Sequence, residues 1–258
     1  MRSPQTQTAS PRTGSVRSVV LCVAAFTLVA GSAVVPANEP SVTESSPARL
    51  FGSLPGSSDQ PLTQYRALRR MHAATEKGKH EAWLEAWTEL KDGHFSYEIV
   101  SERGSETVRG KVLRSILKRE EELVNSGNTE KGDITAANYD FTEAGRDEDG
   151  SRVVQIKPKR SDVLLVDGRA VLDDGGDLVR VEGRLAKNPS FWTSLVNIVR
   201  RYARIGGVRV PIATETTAKV KMVGTSTLKV DYDYESVNGR SVRLSERRSA
   251  APAHTAAR

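Results

Sequence analysis

Thr214–Glu235 reads TETTAKVKMVGTSTLKVDYDYE, and this stretch decides the fold. In its first half Thr214, Thr216, Ala218, Val220 and Met222 share one parity, opposite Glu215, Lys219 and Lys221. In its second half Leu228, Val230, Tyr232 and Tyr234 oppose Lys229, Asp231, Asp233 and Glu235. Period-two alternation puts each set on its own face of a strand, and Gly224-Thr225 between the runs supplies a turn. Strands joined so tightly must be antiparallel, because parallel neighbours need a crossover of about a dozen residues or more. One face is apolar and the other charged, so the sheet has a core side and a wet side.

The same pattern recurs outward from this hairpin. Phe95, Tyr97 and Ile99 alternate with His94, Ser96 and Glu98, and Val179, Val181 and Leu185 with Arg180, Glu182 and Arg184. Val196 and Ile198 sit opposite Asn197, and Tyr202 continues their face. Lys91-Asp92-Gly93, Glu148-Asp149-Gly150, Asp173-Asp174-Gly175-Gly176, Gly206-Gly207 and Asn238-Gly239 punctuate the runs as turns. One segment departs from the pattern. From Ser105 to Asn125 the apolar positions Val108, Val112, Leu113, Ile116, Leu117, Leu123 and Val124 have helical spacing, between a Ser105 N-cap and an Asn125-Ser126-Gly127 stop. Its stripe must rest on the apolar sheet face. His80–Leu90 is ambiguous: Trp83, Trp87 and Leu90 fit a helix, whereas Ala82, Leu84, Ala86 and Leu90 fit one face of a strand. Propensity alone favours helix there.

The 258 residues carry 38 Lys+Arg against 32 Asp+Glu and a single cysteine. One Cys excludes an intramolecular disulfide scaffold and any Cys-based metal cluster. Residues 1–37 read as a signal peptide. Arg2, Arg12 and Arg17 form an acid-free basic region, Val19–Ala30 is a short apolar run, and Val35-Pro36-Ala37 offers small residues at a cleavage site. Export to the periplasm follows; the alternative is an uncleaved N-terminal anchor, because Val19–Asn38 carries no charge. Cleavage would remove three basic residues and Cys22, leaving a chain of charge +3 without a thiol, and no case for a nucleic-acid partner. Residues 38–62 are a Pro/Ser/Gly-rich disordered linker and 243–258 a similar disordered tail, so the folded domain spans 63–242.

Several segments of the chain from Trp83 to Gly239 resemble the outer-membrane lipoprotein-sorting (LolA/LolB-like) superfamily of periplasmic carriers, and more closely a bacterial subgroup of it. They are Trp83–Leu90 (WLEAWTEL), Pro158-Lys159-Arg160 with Leu164–Arg169 (LLVDGR), Leu178–Trp192 (LVRVEGRLAKNPSFW), Gly207–Pro211 (GVRVP) and Tyr232–Gly239 (YDYESVNG). The resemblance implies a mostly β fold with α: a curved antiparallel half-barrel sheet lidded by one or more helices, with His80–Leu90 as a strand. It further implies a carrier or binding module for an acylated or lipophilic ligand, either a lipid or an acylated protein. A membrane-bound donor or acceptor protein would exchange that ligand with a monomeric carrier. Leu84, Phe95, Tyr97, Ile99, Val179, Val181, Leu185, Val196, Ile198, Val220, Met222, Val230 and Tyr232 would line the ligand cavity, under a lid presenting Val108, Val112, Ile116 and Leu117. By the residues alone the same side chains read as ordinary core, and only the resemblance makes them a cavity lining. The alternative is therefore a structural or protein-interaction module of the cell envelope with a filled core.

Catalytic patterns do not appear. The sequence has no Gly-x-Ser-x-Gly elbow, phosphate loop or dinucleotide fingerprint. His80-Glu81 begins like a zinc-protease motif, but Leu84 stands where the second histidine belongs. His72, His94 and His254 read as exposed polar positions, Asp147-Glu148-Asp149-Gly150 as a solvated turn, and Asp231 with Asp233 as a charged strand face. A non-enzyme without cofactor or metal is the expectation. Arg200, Arg201, Arg204 and Arg209 admit two readings: cross-strand pairing with Glu215 and neighbouring acids, or an anionic contact at a cavity mouth.

Overall fold

A computed structural model describes residues 60–76, 80–127, 129–191, 193–221 and 224–242. The leader, most of the linker and the C-terminal tail inferred from sequence lie outside the described residues. Eleven strands form one antiparallel sheet: β1 (Tyr65–Thr75), β2 (Glu81–Lys91), β3 (His94–Gly104), β4 (Tyr139–Arg146), β5 (Arg152–Pro158), β6 (Val166–Leu172), β7 (Leu178–Leu185), β8 (Thr193–Ile205), β9 (Val208–Val220), β10 (Gly224–Val237) and β11 (Arg240–Ser241). Their order is β3-β2-β1-β10-β9-β8-β7-β6-β5-β4, with β11 beside β10. Strands β3 and β4 are the two edges, so the sheet stays an open half-barrel.

In the chain between those two edge strands lies a helical span, packed on the inner face of β1–β3 and β10. Its parts are α1 (Glu106–Val108), a π-helical stretch (Arg109–Arg114) and α2 (Ser115–Asn125), followed by a 3-10 turn (Thr129–Gly132). The helical spacing read from Ser105 to Asn125 is thus observed, with a local widening that the sequence pattern does not show. Ser115 Oγ donates to the carbonyls of Lys111 (2.7 Å) and Val112 (2.8 Å) where the π-helical stretch gives way to α2. At the far end Asn125 bonds edge strand β3 through its side chain: Phe95 N–H donates to Asn125 Oδ1 (2.8 Å), and Asn125 Nδ2 donates to Phe95 O (3.2 Å). Gly127, at φ +71°, then ends the helix in the left-handed conformation.

His80–Leu90 belongs to the sheet. As β2 it pairs with β1 on one side and β3 on the other, with Ala82, Leu84, Ala86, Thr88 and Leu90 buried on the inner face. Trp83 and Trp87 lie half-buried on the outer face, where His72 stacks on Trp83 (4.8 Å), Arg103 covers Trp83 (4.3 Å) and Arg66 covers Trp87 (4.7 Å). Two flanking strands and these cross-strand contacts override the helix propensity of Ala, Leu and Glu.

Curvature has identifiable sources. Register shifts interrupt several pairings, at Arg66/Ala67, Glu85/Ala86, Val171/Leu172 and Arg201/Tyr202, and each bulge bends its strand. Between β6 and β7, Gly168 faces Gly183. A Cβ on Gly168 would lie 2.1 Å from Glu182 O, and one on Gly183 2.4 Å from Asp167 O. Only glycine permits so tight a curl.

Candidate functional site: a covered concave face

The inner parity of the strands builds two apolar areas. One lies under the helical span, where Met71, Ala73, Ala82, Leu84, Ala86, Leu228 and Val230 meet Val112, Leu113, Ile116 and Leu117. Small residues on β1 and β2 let the span settle close to the sheet. The other lies in the β4–β9 half, where Tyr139, Phe141, Ile156, Leu165, Leu172, Val181, Leu185, Val196, Ile198 and Tyr202 pack together. A third group, including Tyr65, Leu90, Phe95, Val124, Ile205, Val210 and Tyr234, closes one end of the trough.

The residues expected to line a cavity therefore divide. Leu84 and Val230 sit beneath the span, with Tyr97, Ile99 and Tyr232 half-buried at its border and Phe95 in the end cluster. Val181, Leu185, Val196 and Ile198 belong to the β4–β9 cluster, and Val220 packs against it. Val179 departs from the expectation. Leu178 pairs with Leu172 and Arg180 with Val171, so the extra residue at this bulge leaves Val179 half-buried and outside the inner cluster. Met222 lies outside the described residues. Of the stripe on the span, Val112, Ile116 and Leu117 are buried and Val108 is half-buried at the rim.

Among the described residues the face is covered. Leu84, Phe95, Val181, Val196, Ile198 and Val230 are each exposed by 5% or less. A space of about 20 Å³ remains among Leu62, Tyr65, Arg69, Leu90, Phe95, Glu120, Val124, Pro211, Tyr232 and Tyr234. That holds about one water molecule, whereas small-molecule sites occupy several hundred Å³.

At this space sits a feature that alternation alone does not reveal. Arg69 occupies an inner position of β1 between Ala67 and Met71, and its side chain is 2% exposed. Both terminal nitrogens of Arg69 donate to the Glu120 carboxylate of α2, itself 8% exposed; the Nη2–Oε1 contact is 3.1 Å. The guanidinium carbon lies 4.7 Å from the Tyr232 ring and 5.6 Å from that of Phe95, and Nη2 is 3.4 Å from the Tyr65 hydroxyl. Among the described residues Arg69 Nε has no hydrogen-bond partner. Burial by itself would lower the Arg69 pKa, but the Glu120 carboxylate, aided by Tyr232 and Tyr65, outweighs it and holds the group well above its ordinary value. Burial pushes the Tyr65 and Tyr234 hydroxyls up, so both stay neutral. Tyr234 donates to Pro211 O (2.9 Å). The available sequence signal was a charge in an apolar phase: Arg69 in the series Ala67, Met71, Ala73, and Glu120 in the series Ile116, Leu117, Val124.

Charges elsewhere pair at the surface. At the start of the span, Arg109 and Arg114 engage Glu102 of β3 and Glu106. The arginine cluster read from sequence separates. Arg201 binds Glu215 (2.8 Å) and Arg204 binds Asp177 (2.8 Å), whereas Arg200 turns inward, buried against Thr214. Burial lowers the pKa of Arg209. His72 Nε2 is 2.7 Å from Glu81, and Asp233 pairs with Arg70 on the outer face. A depression of about 440 Å³ lies along the outer side of β5–β8, among Gln155, Asp167, Arg169, Glu182, Arg184 and Asn197. Its four charges are paired as Asp167–Arg184 and Arg169–Glu182. Among the described residues, no three His, Cys, Asp or Glu side chains converge as metal ligands, and no helix is long and apolar enough to cross a membrane.

Comparison with protein-family models and with curated proteins gives no match. Among solved structures, the chain is similar to a DUF1329 family protein from Desulfovibrio piger, at 14% identity over 70% of this chain and 88% of that one, with a TM-score of 0.27. The reading of the site therefore rests on the geometry above.

Proposed function

We propose that this chain is a non-catalytic binding module and carrier for an acylated or otherwise lipophilic ligand, described here in its closed state. The observation carrying this reading is that one helical span, between the two edge strands in the chain, covers the apolar inner face of β1, β2 and β10 in an open sheet. Magnitudes support the exchange. Val112, Leu113, Ile116, Leu117 and Val124 contribute about 2 kcal/mol each when buried, so baring the face costs about 10 kcal/mol. Enclosing a sixteen-carbon chain returns about the same, at ~0.8 kcal/mol per methylene. Helix and guest are thus energetically interchangeable covers, which is what reversible loading requires. The leader read in residues 1–37 completes the proposal: an exported, periplasmic monomer that trades its cargo with a membrane-bound donor or acceptor.

The near-complete burial of the inner side chains favours a second reading, a filled-core interaction module of the cell envelope. One titration separates the two. Delipidated protein mixed with a fluorescent fatty-acid probe takes the probe up saturably if the span can lift, and protein purified from its native envelope carries a lipid detectable by native mass spectrometry. Absence of saturable uptake refutes the carrier.

A further inference from the structure

Resting on the carrier reading, we propose that Arg69 is an anion-recognition point in the trough, and that the guest is an amphiphile whose carboxylate or phosphate head group takes the place held by Glu120. The helical span is itself a likeness of such a guest. Glu120 supplies one carboxylate, and Leu117, Ile116, Leu113 and Val112 follow it as a continuous apolar face. From Glu120 back to Val112 this face runs about 12 Å along the helix axis, lying over Met71, Leu84 and Val230. A guest that displaces the span meets the same surface in the same order: a buried guanidinium for its acid, then methyl and methylene groups for its tail.

The socket is suited to an anion. A buried Arg69 stripped of Glu120 would be an uncompensated charge, which is strongly unfavourable, so an uncharged guest loses what an acid recovers. Charge-assisted bonds to a planar guanidinium favour carboxylate and phosphate geometry, and the rings of Tyr232 and Phe95 keep the group desolvated. Nε has no partner among the described residues and Arg69 lines the small residual space, so a phosphate, with one oxygen more than a carboxylate, has a further donor to engage.

The test is competition against a neutral fluorescent alkyl probe, using palmitate, its methyl ester and palmitoyl lysophosphatidate below their micellar concentrations. For the wild-type chain palmitate should compete at least tenfold better than the ester, and lysophosphatidate at least as well as palmitate. Arg69→Met should bring the acid-to-ester ratio to about one while the ester still binds. Glu120→Gln should strengthen the acids by removing their internal competitor. If Arg69→Met does not fold, Arg69→Met with Glu120→Leu removes both charges and gives the same readout. Equal binding of acid and ester by the wild type, or a preference that survives loss of Arg69, overturns the anion socket and leaves the carrier standing. No competition by any of the three, with no uptake of the neutral probe, overturns both.

Discussion

Glu120→Leu removes the one carboxylate that compensates a guanidinium whose side chain is 2% exposed. Loss of one partner from a buried pair costs about 3–5 kcal/mol. The two single variants should be unequal. Arg69→Met leaves the Glu120 carboxylate buried without its cation, whereas Glu120→Leu leaves a guanidinium, which stays charged in proteins, buried without its anion, so Glu120→Leu is expected to be the more damaging change. Replacing both together with apolar residues should be close to neutral or mildly stabilising, giving a coupling energy of about 3 kcal/mol or more. Urea denaturation measures it: at a slope of about 2 kcal/mol/M, a 4 kcal/mol loss moves the midpoint by about 2 M. The exposed i,i+4 pair Lys118–Glu122, at 70% and 64% side-chain exposure, is the internal control and should give below about 0.5 kcal/mol. A coupling between positions 69 and 120 under about 1 kcal/mol would refute the claim that this pair fastens the span to the sheet.

Other expectations follow from separate features. Gly168→Ala drives a Cβ to within 2.1 Å of the Glu182 carbonyl oxygen and should destabilise by about 1–3 kcal/mol, lowering Tm by about 2–12 °C; unchanged melting would contradict the tight β6–β7 curl. Leu113→Ala, at a position with no exposure, should cost about 2–5 kcal/mol in chemical denaturation and speed uptake of a neutral alkyl probe; a faster probe phase without lost stability would argue against packing as the restraint. Gly110→Ala meets nothing closer than 3.9 Å and should stabilise by about 0.5–1 kcal/mol, read from the same denaturation curves. Hydrogen bonds from Arg204 and Arg114 hold the Asp177 and Glu102 carboxyls below their ordinary range. Their contribution is therefore fully present above the unfolded-state values near pH 4 and lost as acid protonates the folded forms. Asp177→Asn should accordingly flatten the fall of stability with acid, and an unchanged slope would remove Asp177 from the acid-sensitive set.

Strand faces were legible where residues of one parity carried no charge, as in Thr214–Val220 and Leu228–Tyr234, and where Asp92-Gly93, Gly206-Gly207 and Asn238-Gly239 carry the positive φ values of tight hairpins. The helix was legible because its stripe is long. Strand β1 was not, since Arg69 interrupts the apolar parity that Tyr65, Ala67, Met71 and Ala73 otherwise keep. The ion pair itself joins residues 51 positions apart, and nothing local in either segment announces the other. Val179 leaves the inner cluster because a bulge shifts parity by one residue, and the bulge's signature lies in pairing with β6 rather than in the local sequence. Whether an apolar face is core or lining is likewise invisible to alternation, because both demand the same residues.

Sheet order and chain order part company at one place: β1, near the start of the folded chain, pairs along its length with β10, near the end. A growing polypeptide can close the β1–β3 hairpins and the β4–β9 meander early, yet the two halves share no hydrogen-bonded seam until Gly224–Val237 arrives. That seam closes a very long loop, which slows folding. A product truncated before Gly224 would leave β1 and β9 as long raw edges, ready to recruit strands from other chains. Strand β10 is thus the keystone of the arch, and its arrival is built into the architecture as a condition for joining the two halves.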